Sequence, residues 1–285
     1  MSVLQIHAQP GKTTVWTLSW FLFAVGITAY FWVSSQRHIE NPDDRVMPTL
    51  RQMGQGVVDA ALKPAEEDQG VGDADQQSIL TRFRHGMLWK DTEATGRRFF
   101  ISMAVLFPAV LIGLHMGMFP YVGTFFLRFV LFFDKIVALS LLPILFIAFG
   151  IDELAKVMLI VIGVAPTIIL DAFNLTRSVP REQIVKGFTL GASDFSVTYR
   201  IVFKQILPRV LNSIRLNLKA VMLFLFAGEM IASTDGLAYR IALLRRHMGM
   251  DTIIPYVLWV ALLLFLVDLG MRLLNRQLHP WFREA

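Results

Sequence analysis

The sequence predicts an all-α integral membrane protein with about six transmembrane helices. Three observations carry that reading. The chain of 285 residues is 55% hydrophobic and holds 23 Phe, with a mean hydropathy of +0.54, which is too apolar for a soluble domain. Its apolar residues fall in runs far longer than barrel strands, and only helices or closed barrels satisfy their backbone in lipid. Its basic residues gather in the segments between those runs, a pattern that fits lipid headgroups and cytoplasmic partners better than nucleic acid.

A helix needs about 20 mostly apolar residues to cross the hydrocarbon core. The first run, Val15–Val33, is long for the core of a cleaved signal peptide and no clear A-x-A site follows it, so it reads as an anchor. Next, Pro48 to Leu62 places Leu50, Met53, Val57 and Ala61 at helical spacing, which predicts a short amphipathic helix along the membrane surface. The stretch "EEDQGVGDADQQS" after it reads as an exposed loop. The second, third and fourth runs are Phe99–Phe119, Phe129–Gly150 and Leu154–Leu170. The third is the weakest, because Asp134 and Lys135 leave 15 uncharged residues from Ile136 to Gly150, as in a helix that begins at the interface. Leu216–Thr234 and Ile253–Met271 complete the set. Pro108, Pro143 and Pro166 are expected to kink the second, third and fourth spans.

Lys and Arg in short loops set the orientation. Arg177, Arg181, Lys186, Arg200, Lys204, Arg209 and Arg215 lie between the fourth and fifth runs, and Arg272, Arg276 and Arg283 follow the sixth. Both segments are therefore assigned to the cytoplasm. With six spans the N-terminus joins them there and Gln36–Arg98 lies outside. Arg240, Arg245 and Arg246, between the fifth and sixth runs, oppose this assignment and are outvoted. The implied division is 1–34 for the N-terminal segment and first span, 35–98 for the external segment, and 99–285 for a core that contains the loop 176–215.

That loop is polar, basic and long for a connector in a compact bundle. In "VPREQIVKGFTLGAS", Pro180 followed by Arg-Glu-Gln starts a helix that breaks at Gly191. Ser193 is a candidate N-cap for "DFSVTYRIVFKQILP", which Pro208 is expected to end at Leu207. Two helices joined by Gly-Ala-Ser, with apolar residues beside Lys and Arg, form a knob suited to a groove on another protein.

The passage resembles the cytoplasmic "EAA" coupling loop of ABC importer permeases, whose pattern is Glu-Ala-Ala, three residues, Gly and later Ile-x-Leu-Pro. "SLLPILFIAFGIDELAKVMLIVIGVAPTIILDAF" (Ser140–Phe173), "GEMIASTDGLAYRI" (Gly228–Ile241) and "LVDLGMRLLNRQLHPWF" (Leu266–Phe282) are similar to the nitrate/taurine/aliphatic-sulfonate branch. The likeness covers roughly Phe99 to Phe282. It implies a type I importer fold of the MetI-like kind and a bacterial inner-membrane location. It further implies a partner ATPase, with Gly187, Leu190, Gly191, Ala192, Ser193, Ile206, Leu207 and Pro208 on the contact. Two ATPase subunits carrying ATP and Mg, a second permease copy and a periplasmic or lipid-anchored solute-binding protein complete the implied assembly. Two departures stand out. The Glu-Ala-Ala positions hold Val185, Lys186 and Gly187, and Gly191 to Pro208 spans 17 positions, about one helical turn more than the family spacing.

Ionisable residues inside spans cost roughly 2.5–3.5 kcal/mol each on insertion scales, so each needs a reason. Met222, Phe226, Glu229 and Ser233 share one helical face, and Glu229 either borders a translocation path or gate, or pairs with a neighbouring helix, or lies at the outer interface. Asp268 has Arg272 at i+4 for a structural pair. Lys219 is placed to snorkel, and Asp171 and Asn174 end the fourth span. His115 is a lone histidine, best read as hydrogen-bonded structure. No cofactor site emerges: Cys is absent, the six His show no ligand spacing, and no Walker A pattern occurs. Two other classes stay open on the residues alone, namely an integral membrane enzyme using His115 or His247 beside an acid, and a scaffold that only recruits a partner.

Overall fold

With one exception, each apolar run folds as a helix that extends beyond at least one of the ends hydropathy alone sets. The computed structural model describes residues 11–40, 46–62 and 86–282. The helices are α1 (Lys12–Glu40), α2 (Leu50–Leu62), α3 (Met87–Met118), α4 (Pro120–Asp134), α5 (Leu142–Phe149), α6 (Glu153–Arg177) and α7 (Arg181–Thr189). They continue with α8 (Asp194–Ala232), α9 (Leu237–Arg245) and α10 (Met250–Leu278). Among the described residues, α1, α3, α6, α8 and α10 are long and apolar enough to cross a membrane, and α4 with α5 makes a bent sixth candidate. The acidic stretch expected to form a loop after α2 lies outside the described residues.

The exception is the third span. α4 ends at Asp134, a 3-10 turn follows over Ala138–Leu141, and the next helical segment turns by 80°. The break falls where Asp134 accepts a hydrogen bond from Thr167 (3.0 Å) and Lys135 turns outward. Pro143 does not kink a span here. It sits in the first turn of α5, where its missing N–H would have had no helical partner anyway. Pro108 and Pro166 lie inside α3 and α6 as expected.

Pro208 gives a second correction. The helix expected to end at Leu207 runs through Pro208 to Ala232. Proline in a helix removes one donor and crowds the carbonyl four residues back, yet Ile206, Pro208 and Val210 are buried and Asn275 Nδ2 donates to the Pro208 carbonyl (3.0 Å). Packing against α10 outweighs the local preference. The expected boundaries at 34/35, 98/99 and 215/216 accordingly fall inside α1, α3 and α8.

The centre of the bundle is α3 packed on α6, and α6 on α8. Gly113 and Gly117, one turn apart on α3, let the two backbones approach: a Cβ at Gly113 would lie 2.4 Å from the Ile169 carbonyl, and one at Gly117 would lie 2.5 Å from Thr176 Cβ. This small-xxx-small spacing is how membrane helices gain dispersion contacts without a hydrophobic driving force. Gly163 on α6 likewise receives the Phe224 ring of α8. Val110, Leu114, Ile160, Val164, Ile168, Val221 and Leu225 fill the space between. α2 does more than lie along a surface. Gly56 abuts the Asp251 carbonyl at the start of α10, with its Cβ position 2.6 Å away, while Leu50 and Val58 stay exposed.

Gly113→Ala should lower the thermal midpoint of the detergent-solubilised protein, as an overpacking cost of about 1–3 kcal/mol requires. Gly26→Ala, where the added methyl meets no atom within 4 Å, should leave the midpoint unchanged or slightly raised. Equal shifts for the two would contradict the close α3–α6 contact.

Candidate functional site

Two clusters sit at opposite ends of the same helices. At the first end, Asp91, Thr95, Arg98 and Ser102 recur at spacings of four, three and four along α3 and form one buried polar stripe. The Arg98 guanidinium uses all five of its N–H donors. Nε and Nη2 hold Glu153 in a two-point grip (2.6 and 2.8 Å), Nη1 reaches Glu229 (2.9 Å) and the Asp235 carbonyl (3.0 Å), and Nη2 also bonds the Asp235 carboxylate. Glu229 is fully enclosed, and its second oxygen accepts from Thr95 Oγ1 (3.1 Å) and the Ala238 amide (3.1 Å).

These contacts also seat α9. The first amides of a helix lack internal partners, and here each finds a side chain: Gly236 N–H donates to Asp91 (3.2 Å), Leu237 N–H to Thr95 Oγ1 (2.9 Å) and Ala238 N–H to Glu229. Two buried carboxylates at that N-terminus also match its positive dipole end. Gly236 has φ +115°, and a Cβ on it would lie 2.7 Å from Glu229 Cδ and 2.8 Å from Arg98 Nη1, so the turn admits only glycine. Asp91 further accepts from Arg240 Nε (2.9 Å) and Tyr256 O–H (3.3 Å). Burial works against the Arg240 charge, but the hydrogen bond and charge of Asp91 outweigh it and hold its pKa above the ordinary value. Lys156, buried in α6, donates to Ser233 Oγ (3.0 Å) and lies 3.5 Å from Glu153.

At the other end, α7 closes on a glycine turn. Gly191 has φ +81°; its N–H bonds the Phe188 carbonyl (2.9 Å) and the Ala192 N–H bonds the Gly187 carbonyl (3.1 Å), the paired bonds of a Schellman cap. Ser193 then caps α8 through the Ser196 amide (3.3 Å). The tip exposes Val185, Phe188, Leu190 and Phe195, with Leu190 82% accessible, and Arg181, Lys186 and Arg200 stand around them. Gly187 is buried, and its Cβ position lies 2.8 Å from Ile201 Cδ1.

The residues expected to contact an ATPase therefore divide. Leu190, Gly191 and Ser193 are exposed at the tip and Ala192 is half-buried, whereas Gly187, Ile206 and Pro208 are buried within the chain and Leu207 is half-buried. The expected path face divides as well. Met222 and Glu229 are enclosed by the chain's own packing, and Phe226 and Ser233 are half-buried. Glu229 is paired with Arg98 of the neighbouring α3. Asp268 pairs with Arg272 (3.1 Å) and also with Arg215 (3.4 Å), Asp171 accepts from Ser213, and Lys219 is exposed. Sequence reasoning passed over Arg98 and Lys156. The signal for Arg98 was present, as the stripe of Asp91, Thr95, Arg98 and Ser102 just ahead of an apolar run. Among the described residues no group of acids and histidines could hold a metal ion.

Long apolar helices joined through a buried ion network, with a polar helical knob projecting from one end, define a polytopic helical membrane protein. Residues 109–284 match the family described as binding-protein-dependent transport system inner membrane component, and the chain belongs to that family of transporter permeases. It is 29% identical to the taurine transport system permease protein TauC of Escherichia coli (strain K12) over 205 residues, 71% of this chain and 74% of that one. It is 27% identical to the putative aliphatic sulfonates transport permease protein SsuC of the same organism over 143 residues, 50% of this chain and 54% of that one. The fold matches a chain of the MetNI methionine ABC transporter in an inward-facing conformation, with a TM-score of 0.53 and 16% identity over 75% of this chain and 98% of that one.

Removing one partner of a buried ion pair strands the other, which typically costs roughly 3–5 kcal/mol. Arg98→Met should therefore sharply lower the thermal midpoint, and Arg98→Met combined with Glu229→Met should recover part of the loss. Strictly additive losses in this cycle would show that the pair is not coupled.

Proposed function

We propose that this chain is the permease subunit of an ATP-driven importer, and that the α7–α8 tip is its docking surface for a separate ATPase chain. The observation that carries the reading is the tip itself. Val185, Phe188, Leu190 and Phe195 present apolar side chains to solvent around a glycine-capped turn, on a segment whose exposed charges include Arg181, Glu182, Lys186, Asp194 and Arg200. An exposed apolar centre with a charged rim is the anatomy of a protein interface. ATP and Mg belong to the partner, two ATPase subunits serve two copies of this chain, and a solute-binding protein delivers cargo to the opposite end. The tip and both termini then lie in the cytoplasm, and the Arg98 network lies toward the outer face.

Likeness to permeases named for taurine and aliphatic sulfonates supports a small sulfonate or a related anion as solute. An enzyme reading finds less to stand on, because His115 has one ring nitrogen bonded to the Leu111 carbonyl (2.7 Å) and the other to the Tyr199 hydroxyl (3.1 Å).

Gentle extraction of the tagged chain from its host should recover a Walker-A ATPase in near-equal amount. Leu190→Glu, which alters only an exposed side chain, should cut that recovery roughly tenfold or more, as loss of an apolar anchor does. Gly191→Trp should do the same by adding bulk at a left-handed position. Absence of any ATPase, even after crosslinking, would sink the reading.

A further inference from the structure

The end of α3 and the start of α8 meet at a contact that packing alone does not require. α8 opens with a single helical turn, Asp194–Ser196, and then passes through a π-helical turn, Val197–Val202, before regular α-helix resumes. A π turn inserts one extra residue and re-aims the side chains around it, and such turns are found mostly at functional positions. Here it turns Val197 and Ile201 toward Gly187 of α7, and it turns Tyr199 toward His115 in the last turn of α3.

The polarity of the contact follows from its partners. A carbonyl only accepts, so His115 Nδ1 carries the proton donated to Leu111 O (2.7 Å), and Nε2 is left to accept from the Tyr199 hydroxyl at 3.1 Å. Rings brace the bond on both sides. His115 stacks on Phe119 with centroids 5.9 Å apart, and Tyr199 lies against Phe195 at 4.6 Å. Beyond His115, the same helix is locked to α6 through Gly113 and Gly117.

We propose that Tyr199 and His115 form the strut by which movement of the docking tip is passed to the transmembrane core. The proposal rests on the coupling reading of the tip. The route is continuous: the Gly187 face of α7 bears on Ile201 and Val197, the π turn carries Tyr199, the hydroxyl holds His115, and α3 transfers the displacement to α6. Tyr199 and His115 are positioning residues that touch neither ATP nor solute. The π turn also accounts for one of the extra residues between Gly191 and Pro208, because the added length re-aims Tyr199 onto α3.

The test uses the whole permease–ATPase complex in lipid nanodiscs, with hydrogen–deuterium exchange followed by mass spectrometry in the absence of nucleotide and with ATP plus vanadate. In the wild type, exchange should respond to nucleotide both in peptides over 185–203 and in peptides over 108–119. Tyr199→Phe keeps the ring and removes only the hydroxyl, and His115→Phe keeps the stack on Phe119 and removes the acceptor. In each variant the response over 185–203 should persist while that over 108–119 falls roughly fivefold, the equilibrium worth of one hydrogen bond. The double variant should be no worse than either single one. A wild-type response over 108–119 in both variants would overturn the strut. So would a wild-type protein in which 185–203 responds and 108–119 does not. Silence over 185–203 itself, or failure of an ATPase to join the complex, would instead bring down the coupling reading together with the strut.

Discussion

One guanidinium holds the end of this bundle that lies away from the α7–α8 tip. Arg98 binds Glu153 on α6, Glu229 on α8 and both polar groups of Asp235 in the turn between α8 and α9. Without it, Glu229 would be a carboxylate sealed in a membrane-embedded core with only Thr95 and one amide to meet it. The start of α9, the left-handed Gly236 and the close of α8 all rest on that arrangement. Asp91, two stripe positions before Arg98 on α3, extends it to α10 through Tyr256. Apolar side chains fill the interior, but these directional contacts fix which helix meets which, and in what register.

The helices that converge on Arg98 are also the ones that end at or beside the tip. α3 stops at Met118 beside the π turn, α6 runs into the turn before α7, and α8 spans from the tip to Glu229 without a break. Glycine contacts between α3 and α6 leave no compliant layer between them. Close-packed cores respond to force by switching between arrangements rather than by deforming smoothly. α4 and α5 differ in kind, presenting Phe125, Phe129, Phe132, Ile144 and Ile147 outward. That surface is dressed for lipid or for another protein.

Much of this was legible in the sequence. Long apolar runs gave the spans, Pro180, Gly191 and Ser193 gave the helical turn, and Asp268 with Arg272 gave an ion pair, because each depends on residues close along the chain. The errors share one cause. Pro208 stays helical because Asn275, 67 positions away, meets its carbonyl. The weak point of the third run at Asp134 and Lys135 was visible, but not the 80° turn there, where Asp134 accepts from Thr167 on another helix. The partner of Glu229 went unseen because Arg98 lies 131 positions earlier, in a segment too charged to count as span. Local propensity could not see contacts that only the assembled bundle supplies. Gly113 and Gly117 were a readable signal that a search for chemistry passed by.

The sequence separation between Arg98 and its partners bears on how the chain is made. Glu153 emerges 55 positions after Arg98, Glu229 131 positions after it and Asp235 137 positions after it. At translation rates of about 5–20 residues per second, the nascent chain holds this arginine for on the order of ten seconds before its last acids exist. Enclosing a cation without its counter-charges is costly, so during that interval Arg98 and the first turns of α3 belong at the headgroup boundary, and the arginine is sealed in only as α9 closes over it.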